Sequence, residues 1–337
     1  MPNDNEERYY IVVNFMNRPI WLLFIILTVL LFSSTSLLYK ASAIGAEKEK
    51  HFCLKYSVCV GIVFFVIAFL YLIIRNEPFT IFESAVRFWP MTIFGFVYAV
   101  VNTISFNGYI YNEAMVESPV EGIGGGTSTI LLIIAYIVLG RVDSLFNLLT
   151  PLRTVGIIVI LISIIRLSKI RNLINRENIK LKQKSWMKNS LGTLIFPVMF
   201  SVVDALETIV TGVCLDTTYG YAMPEGDSII IVGMEYAIFA FICYVYIYFK
   251  EKKFYNPFSK KGRQIIFGAI TDNIGIVFYS YAMAMDSVST DPLVAVYPIF
   301  VMIGGRIFMK EKVSLNQYIC LIGIITGSIM VIIDTVI

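Results

Sequence analysis

The chain has 337 residues, of which 57% are hydrophobic and 15% are charged, and its formal net charge is +3. Soluble domains carry about a quarter charged residues, so this excess of apolar residues indicates a membrane protein and argues against a large soluble core. The single histidine, His51, lies in a charged loop, and the five cysteines form no CxxC pair. The composition therefore excludes histidine-based catalysis and haem ligation, and it argues against a disulfide framework or a zinc site.

The membrane-spanning segments follow an acidic N-terminal tail, residues 1–19, which lacks the features of a cleavable signal. A helix that spans a bilayer needs about 20 mostly apolar residues. Ten segments meet that requirement: 20–39, 54–74, 88–111, 119–140, 150–167, 190–214, 228–249, 264–286, 290–309 and 314–335. The sequence therefore predicts an all-α membrane protein with ten transmembrane helices. A basic linker at 168–189 divides these spans into five within 20–167 and five within 190–337.

The two halves resemble each other in sequence. Residues 93–140 and 266–312 both open with Ile-Phe-Gly, reach a polar turn with a proline at the matching offset (Pro119 and Pro292), and continue into a glycine-bearing span. Because each half has an odd number of spans, the halves must lie in opposite orientation. Two inverted five-helix repeats are typical of transporters, with the substrate site near the membrane midplane at the repeat interface.

Lysine and arginine are distributed unevenly between the two sides of the membrane that these spans define. Of the 27 such residues, 21 fall on one side and 6 on the other. Because basic loops stay in the cytoplasm, this asymmetry predicts that both termini lie outside.

The C-terminal part of the chain carries a family likeness. Residues 281–333 combine a central Pro298, a Lys310-Glu311 pair that closes the span, and a final span that carries Gly323 and Gly327. This pattern resembles the last two and a half spans of an EamA-type half, in the drug/metabolite transporter superfamily. The resemblance implies a ten-helix carrier of small metabolites or drugs, often outward and proton-coupled, with cytoplasmic termini. The charge asymmetry favours the opposite orientation.

A polar stripe interrupts the sixth predicted span. Within residues 200–213, Ser201, Asp204, Thr208 and Thr211 fall on one helical face, with Glu207 beside them. A carboxylate at the centre of a bilayer costs about 3 kcal/mol or more, so such groups usually face a cavity and serve a function. The alternative is that they only form hydrogen bonds between packed helices.

Two further acids lie inside predicted spans, Glu235 and Asp272. At about 1.5 Å per residue, Glu235 and Glu207 lie at a similar depth, both roughly 10 Å from the less basic face. Neighbouring buried carboxyl groups can hold a proton near neutral pH and release it to a cationic substrate. No lysine or arginine lies in the middle of a span, so the acids favour a cationic or zwitterionic substrate over an anionic one.

A second polar stripe runs along the third predicted span, where Tyr98, Asn102, Ser105 and Tyr109 share one face. On the eighth span, Asp272 and Tyr279 repeat this spacing. Aromatic faces beside carboxylates suit an ammonium or guanidinium group through cation–π contact. A belt of interfacial tyrosines would produce the same pattern.

Taken together, these patterns predict a secondary active transporter for a small cationic or zwitterionic metabolite or drug, coupled to protons by export or exchange. The predicted substrate-binding residues are Asp204, Glu207, Glu235, Asp272, Tyr98, Asn102, Ser105, Tyr279 and Thr208, of which Asp204, Glu207 and Glu235 also carry protons. The alternatives are a Mg²⁺-type cation transporter or channel, a carrier of neutral solutes such as nucleosides or sugars, and an intramembrane enzyme. The enzyme is disfavoured because the chain lacks a GxGD motif.

The expected surroundings of the protein follow from the same reading. Its expected partners are the lipid bilayer and a small-molecule substrate, and its expected location is the plasma membrane by default. No nucleic acid, cofactor or metal is expected. The pair of glycines in the last span, Gly323 and Gly327, indicates close helix packing or contact with a second copy of the chain.

Overall fold

The computed structural model describes residues 4–46, 49–75, 78–111, 127–142, 149–180, 190–310 and 314–336, and within them the regular secondary structure is helical. The helices are α1 Asp4–Ala43, α2 Phe52–Arg75, α3 Pro78–Arg87, α4 Trp89–Ser105, α5 Asn107–Tyr111, α6 Thr127–Val138, α7 Pro151–Lys180, α8 Ser190–Leu215, α9 Glu225–Glu251, α10 Lys260–Met285, α11 Ser287–Val294, α12 Pro298–Phe308 and α13 Leu315–Val336. The predicted all-α class is confirmed.

Eight helical segments among these residues are long and apolar enough to cross a membrane. They are Pro19–Ala43, Phe52–Ile74, Trp89–Ile110, Val198–Leu215, Glu225–Glu251, Lys260–Met285, Ser287–Phe308 and Leu315–Asp334, and each corresponds to one predicted span. The fifth predicted span falls within α7, and α6 covers the described part of the fourth. Pro119 and Glu311 lie outside the described residues, and the count of ten spans stays a prediction.

Two of the crossing segments are broken helices. The third bends at Phe106, between α4 and α5, and the ninth predicted span is interrupted at residues 295–297, between α11 and α12. Pro298 occupies the first position of α12. A proline has no N–H and disfavours helical geometry in the residue before it, so it begins a new helix instead of continuing the old one. The N–H groups of residues 295–297 still donate to carbonyl oxygens of residues 291–294, as backbone at membrane depth requires.

The helices pack in close pairs, most extensively α2 with α9, α1 with α10, α7 with α13, and α4 with α8. Glycines make the closest approaches: a Cβ on Gly327 would lie 2.6 Å from the Gly156 carbonyl oxygen, and one on Gly156 would lie 2.8 Å from that of Gly327. Membrane helices associate through such small residues because lipid supplies no hydrophobic drive between them. Gly323 and Gly327 therefore pack against α7 within the chain.

Candidate functional site

A central cavity of about 160 Å³ lies between α1, α4, α5, α8, α9, α10 and α11. One buried water needs roughly 10–15 Å³ on the same measure, so the cavity has room for a small organic molecule with a few waters. The helix pairs described above place the polar stripes of α4, α8 and α10 on its wall.

Four carboxyl groups line the cavity: Asp204 and Glu207 on α8, Asp272 on α10 and Asp291 on α11. Glu207 accepts a hydrogen bond of 2.6 Å from the Thr211 hydroxyl one turn further along the helix. It also lies within electrostatic range of Asp291. Helices that are distant in sequence thus bring negative charge to one space.

Tyrosine hydroxyls hold two of these carboxyl groups. The Tyr39 hydroxyl donates to Asp272 at 3.3 Å, and the Tyr279 hydroxyl donates to Asp291 at 3.0 Å. Asp291 also accepts a hydrogen bond from Ser128 on α6. It is 4% exposed, and these bonds join α6, α10 and α11 at the cavity wall.

Aromatic rings form much of the remaining wall: Phe32, Tyr39, Tyr98, Tyr109, Phe200, Tyr236, Tyr279 and Tyr297. Tyr98 packs against Phe200 with ring centroids 5.5 Å apart, and Phe32 packs against Tyr279 at 6.2 Å. The negative faces of aromatic rings attract cations. The rings and the carboxyl groups therefore favour the same charge in the cavity.

Asn102 links three helices beside the cavity. Its amide nitrogen donates to the Tyr236 hydroxyl at 2.9 Å, and its amide oxygen accepts from the Tyr56 hydroxyl at 3.5 Å. This chain of hydrogen bonds fixes α2, α4 and α9 relative to one another.

Positive charge is missing from the wall, since none of the described residues that line the cavity is lysine or arginine. The ammonium group of Lys40, on α1 next to the lining residue Tyr39, donates to the Tyr109 carbonyl oxygen at 2.8 Å. Anion sites typically present arginine or lysine side chains to the ligand. The cavity instead presents carboxyl groups, which suit a cation.

Seven of the nine predicted substrate-binding residues line the cavity: Tyr98, Asn102, Asp204, Glu207, Thr208, Asp272 and Tyr279. The other two, Ser105 and Glu235, are buried outside its lining. Ser105 is the last residue of α4, directly before the bend at Phe106. The Glu235 side chain, on α9, packs against Gly95 of α4.

Sequence reasoning missed Asp291, as well as Tyr39 and Tyr236. The predicted ninth span began at 290, which placed Asp291 at the membrane edge, whereas α11 begins at Ser287 and carries this residue deeper. The signal was present: the polar run 286–291 is short and continues directly into an apolar segment.

A hydrogen-bond network around Asp216, in the loop after α8, lies beyond one end of the cavity lining. One carboxylate oxygen accepts the backbone N–H groups of Thr218 and Tyr219, both at 2.8 Å. The other accepts the Ser287 hydroxyl at 2.5 Å and the Ser287 N–H at 3.2 Å. The Ser287 and Tyr136 hydroxyls share a further bond of 2.8 Å.

This network, which we call the Asp216 network, lies one helical turn beyond the lining. At about 1.5 Å per residue, Asp216 is about 7 Å past Thr211, and Ser287 is about 6 Å from Asp291. Because α1 runs antiparallel to α10, with Trp21 donating to Thr290 at 2.8 Å, this end is also where α1 enters the membrane. We call it the tail face. The network ties α6, α8 and the α10–α11 turn together across it.

Comparison with known proteins bears on what such a cavity does. Residues 215–333 match the EamA-like transporter family. The EamA match covers the C-terminal third of the chain, including Asp272, Asp291 and the break before Pro298. It confirms the resemblance drawn from residues 281–333 and the assignment to the drug/metabolite transporter superfamily. Together with the eight apolar helices, it supports a multi-pass membrane transporter of the drug/metabolite type.

A similarity of fold covers nearly the whole chain. A crystal structure of another protein is similar to it with a TM-score of 0.60 and 12% identity, over 94% of this chain and 99% of the other. At that identity the similarity concerns the fold alone. No curated protein matches the sequence.

Proposed function

We propose that this protein is a secondary active transporter that exchanges a small cationic or zwitterionic compound for protons by alternating access, in the plasma membrane. The observation that carries the proposal is the cavity itself. It presents four carboxyl groups and eight aromatic rings, and no lysine or arginine among the described lining residues. A solute with an ammonium or guanidinium group matches these walls in charge and in cation–π contact.

An inverted ten-helix repeat is supported by the pattern of helix pairs. In such a repeat α1, α2, α4 and α7 of the first half correspond to α8, α9, α10 and α13 of the second. Interchanging the two halves turns the helix pair α1–α10 into the pair α8–α4. It leaves the pairs α2–α9 and α7–α13 unchanged. These four are the most extensive contacts, and repeats of this kind place the substrate at their interface.

Alternating access requires that the cavity be closed on one side at a time. The Asp216 network supplies a closure at the tail face, because Asp216, Ser287 and Tyr136 are buried and three elements share their hydrogen bonds. We propose that it breaks when the cavity opens to that side.

Proton exchange follows from the carboxyl groups. In an empty cavity Asp204 and Glu207 would hold a proton between them, since two ionised carboxylates in a low-dielectric space repel each other. An entering cation would displace that proton and neutralise the same negative charge in its place. One cation and one proton would thus compete for the same charge and move in opposite directions.

The test uses purified protein in liposomes that contain a pH-sensitive dye. Permanently charged solutes, a quaternary ammonium compound and guanidinium, are added outside, because ordinary amines cross lipid as neutral molecules. Proton movement that depends on these solutes is expected in the wild type and is expected to be lost in Asp204→Asn and Glu207→Gln. The matched control is Glu225→Gln, a glutamate in the first turn of α9 outside the cavity lining.

Further solutes in the same assay separate the alternatives. A response to nucleosides, sugars or sugar phosphates alone would refute a cation site. A response to Mg²⁺ alone would indicate the Mg²⁺-type transporter, although no group of three or more Asp, Glu, His or Cys side chains suited to a metal ion occurs among the residues that the structure describes.

A further inference from the structure

Glu235 is a buried acid outside the cavity lining. Its side chain lies in the middle of α9 and is 4% exposed. Among the described residues, neither of its carboxyl oxygens has a hydrogen-bond partner. Buried polar groups are nearly always hydrogen-bonded, and an ionised carboxylate without partners costs far more than a neutral one. Glu235 is therefore a protonated acid in this conformation.

Gly95 on α4 contacts this acid. A Cβ built on Gly95 would lie 2.0 Å from Oε2 of Glu235 and 2.9 Å from its carboxyl carbon. The carboxyl group thus lies against the α4 backbone and fills the space that a side chain at position 95 would occupy. Gly95 itself lines the cavity, whereas Glu235 does not. The acid therefore contacts the cavity lining at Gly95 without being part of it.

The charged neighbours of Glu235 are few. α4 contains no charged residue, and neither does the part of α2 at 56–74 that packs against α9. Among the other packed elements, α3 carries Glu83 and Arg87. α10 carries Asp272 and, in its first turn, Lys260, Lys261 and Arg263. The carboxyl group that interacts electrostatically with Glu235 is Glu207 on the cavity side.

We propose that Glu235 is a second proton-binding site, packed against the α4 backbone at Gly95 just outside the lining of the substrate cavity. The inference rests on the proposed exchange of a cation for protons. A cation bound beside Glu207 would cancel the repulsion that this carboxylate exerts on an ionised Glu235. The O–H bond of Glu235 would then break and its proton would pass to cavity water, so cargo entry and proton release would occur at two different places.

The test is infrared spectroscopy of the purified protein in lipid at neutral pH. A protonated carboxyl group without hydrogen bonds absorbs at the high-frequency end of the carboxylic acid carbonyl region. We expect such a band in the wild type and its loss in Glu235→Gln, with no change in Glu225→Gln. Labelling the glutamate side-chain carboxyl carbons with ¹³C must shift the band in the wild type, which assigns it to a glutamate even if the Gln variant does not fold.

Gly95→Ala tests the contact between α4 and the Glu235 carboxyl group. The added methyl group must displace the carboxyl group, so the band is expected to shift or disappear. Gly212→Ala is the matched control, since the atoms nearest its Cβ are the ends of flexible side chains, the Leu132 methyl groups at 2.9 and 3.0 Å and the Met283 methyl group at 3.2 Å. It should leave the band unchanged. Absence of the band in the wild type, or a band unchanged in either Glu235→Gln or Gly95→Ala, would overturn the proposal. These measurements use no transported solute. The infrared result for Glu235 and the transport result for cation exchange can therefore each fail while the other holds.

Discussion

Replacing Asp216 with asparagine perturbs the closure at the tail face with a change of one atom. Asp216 is 1% exposed and accepts four hydrogen bonds, two of them from Ser287, which is fully buried. In the asparagine variant one acceptor oxygen becomes an NH₂ group. Whichever way the amide turns, that group faces hydrogen donors.

The size of the effect follows from the lost bonds. A hydrogen bond to a charged group contributes about 1.5–3 kcal/mol net. The Ser287 hydroxyl can rotate to accept a hydrogen bond from the new amide, whereas the Ser287 N–H can only donate. The variant therefore loses the bond from the Ser287 N–H, and its bond with the Ser287 hydroxyl no longer involves a charged group. A loss of about 2–3 kcal/mol corresponds to a roughly 30- to 140-fold shift from the closed towards the open state.

Accessibility of a cysteine in the cavity measures this shift. Ser228 lines the cavity on the first turn of α9, and Ser228→Cys is introduced after replacement of the five native cysteines. A membrane-impermeant thiol reagent added from the tail face should react roughly 30- to 140-fold faster when Asp216 is asparagine. Asp334→Asn breaks the 3.2 Å ion pair with Arg153, between α13 and α7, and should leave the rate unchanged. Equal rates in wild type and Asp216→Asn would refute a closing role for the network.

Two further predictions concern the wall and the helix pairs. Asp291→Asn should abolish cation-dependent proton movement while the protein stays folded, and Tyr279→Phe, which removes one hydrogen bond of about 1 kcal/mol, should weaken cation binding about fivefold; unchanged transport in Asp291→Asn would remove this acid from the site. Gly327→Ala should lower the free energy of unfolding by about 1–3 kcal/mol because its methyl group meets the rigid Gly156 backbone. The methyl group of Gly323→Ala meets the Ser163 side chain, whose hydroxyl can rotate and whose Cβ lies at 3.3 Å, so this variant should lose less. Equal free energies of unfolding for the two variants, measured by fluorescence, would contradict this packing.

The sequence carried most of the information about spans and stripes. Apolar length alone located eight crossing segments, because a helix must be about that long to cross the bilayer. Helical periodicity correctly grouped Asp204, Glu207 and Thr208 on one side of α8, and all three line the cavity. Such features are properties of a single helix, and the pattern along the chain determines them.

What the sequence did not reveal depends on contacts between helices. Glu235 was grouped with the cavity acids from its depth, but depth says nothing about the rotation of a helix. The side chain of Glu235 packs against Gly95 of α4 and is not part of the cavity lining. Asp291 was assigned to the membrane edge because the start of α11 is set by its Asp286 cap, which accepts the Ser289 N–H at 2.9 Å. The Asp216 network joins residues 71 and 151 positions apart, beyond the reach of any local pattern.

The central claim is that the cavity selects for positive charge, and paired ligands test it most directly. Isothermal titration of the purified protein would compare quaternary ammonium and guanidinium compounds, each with a neutral isostere in which carbon replaces the charged nitrogen. Binding is predicted for the charged member of at least one pair and not for its isostere, and it should weaken by about tenfold or more in the Asp204→Asn, Glu207→Gln double variant. Equal binding of both members of every pair, or binding of sugar phosphates alone, would contradict the account.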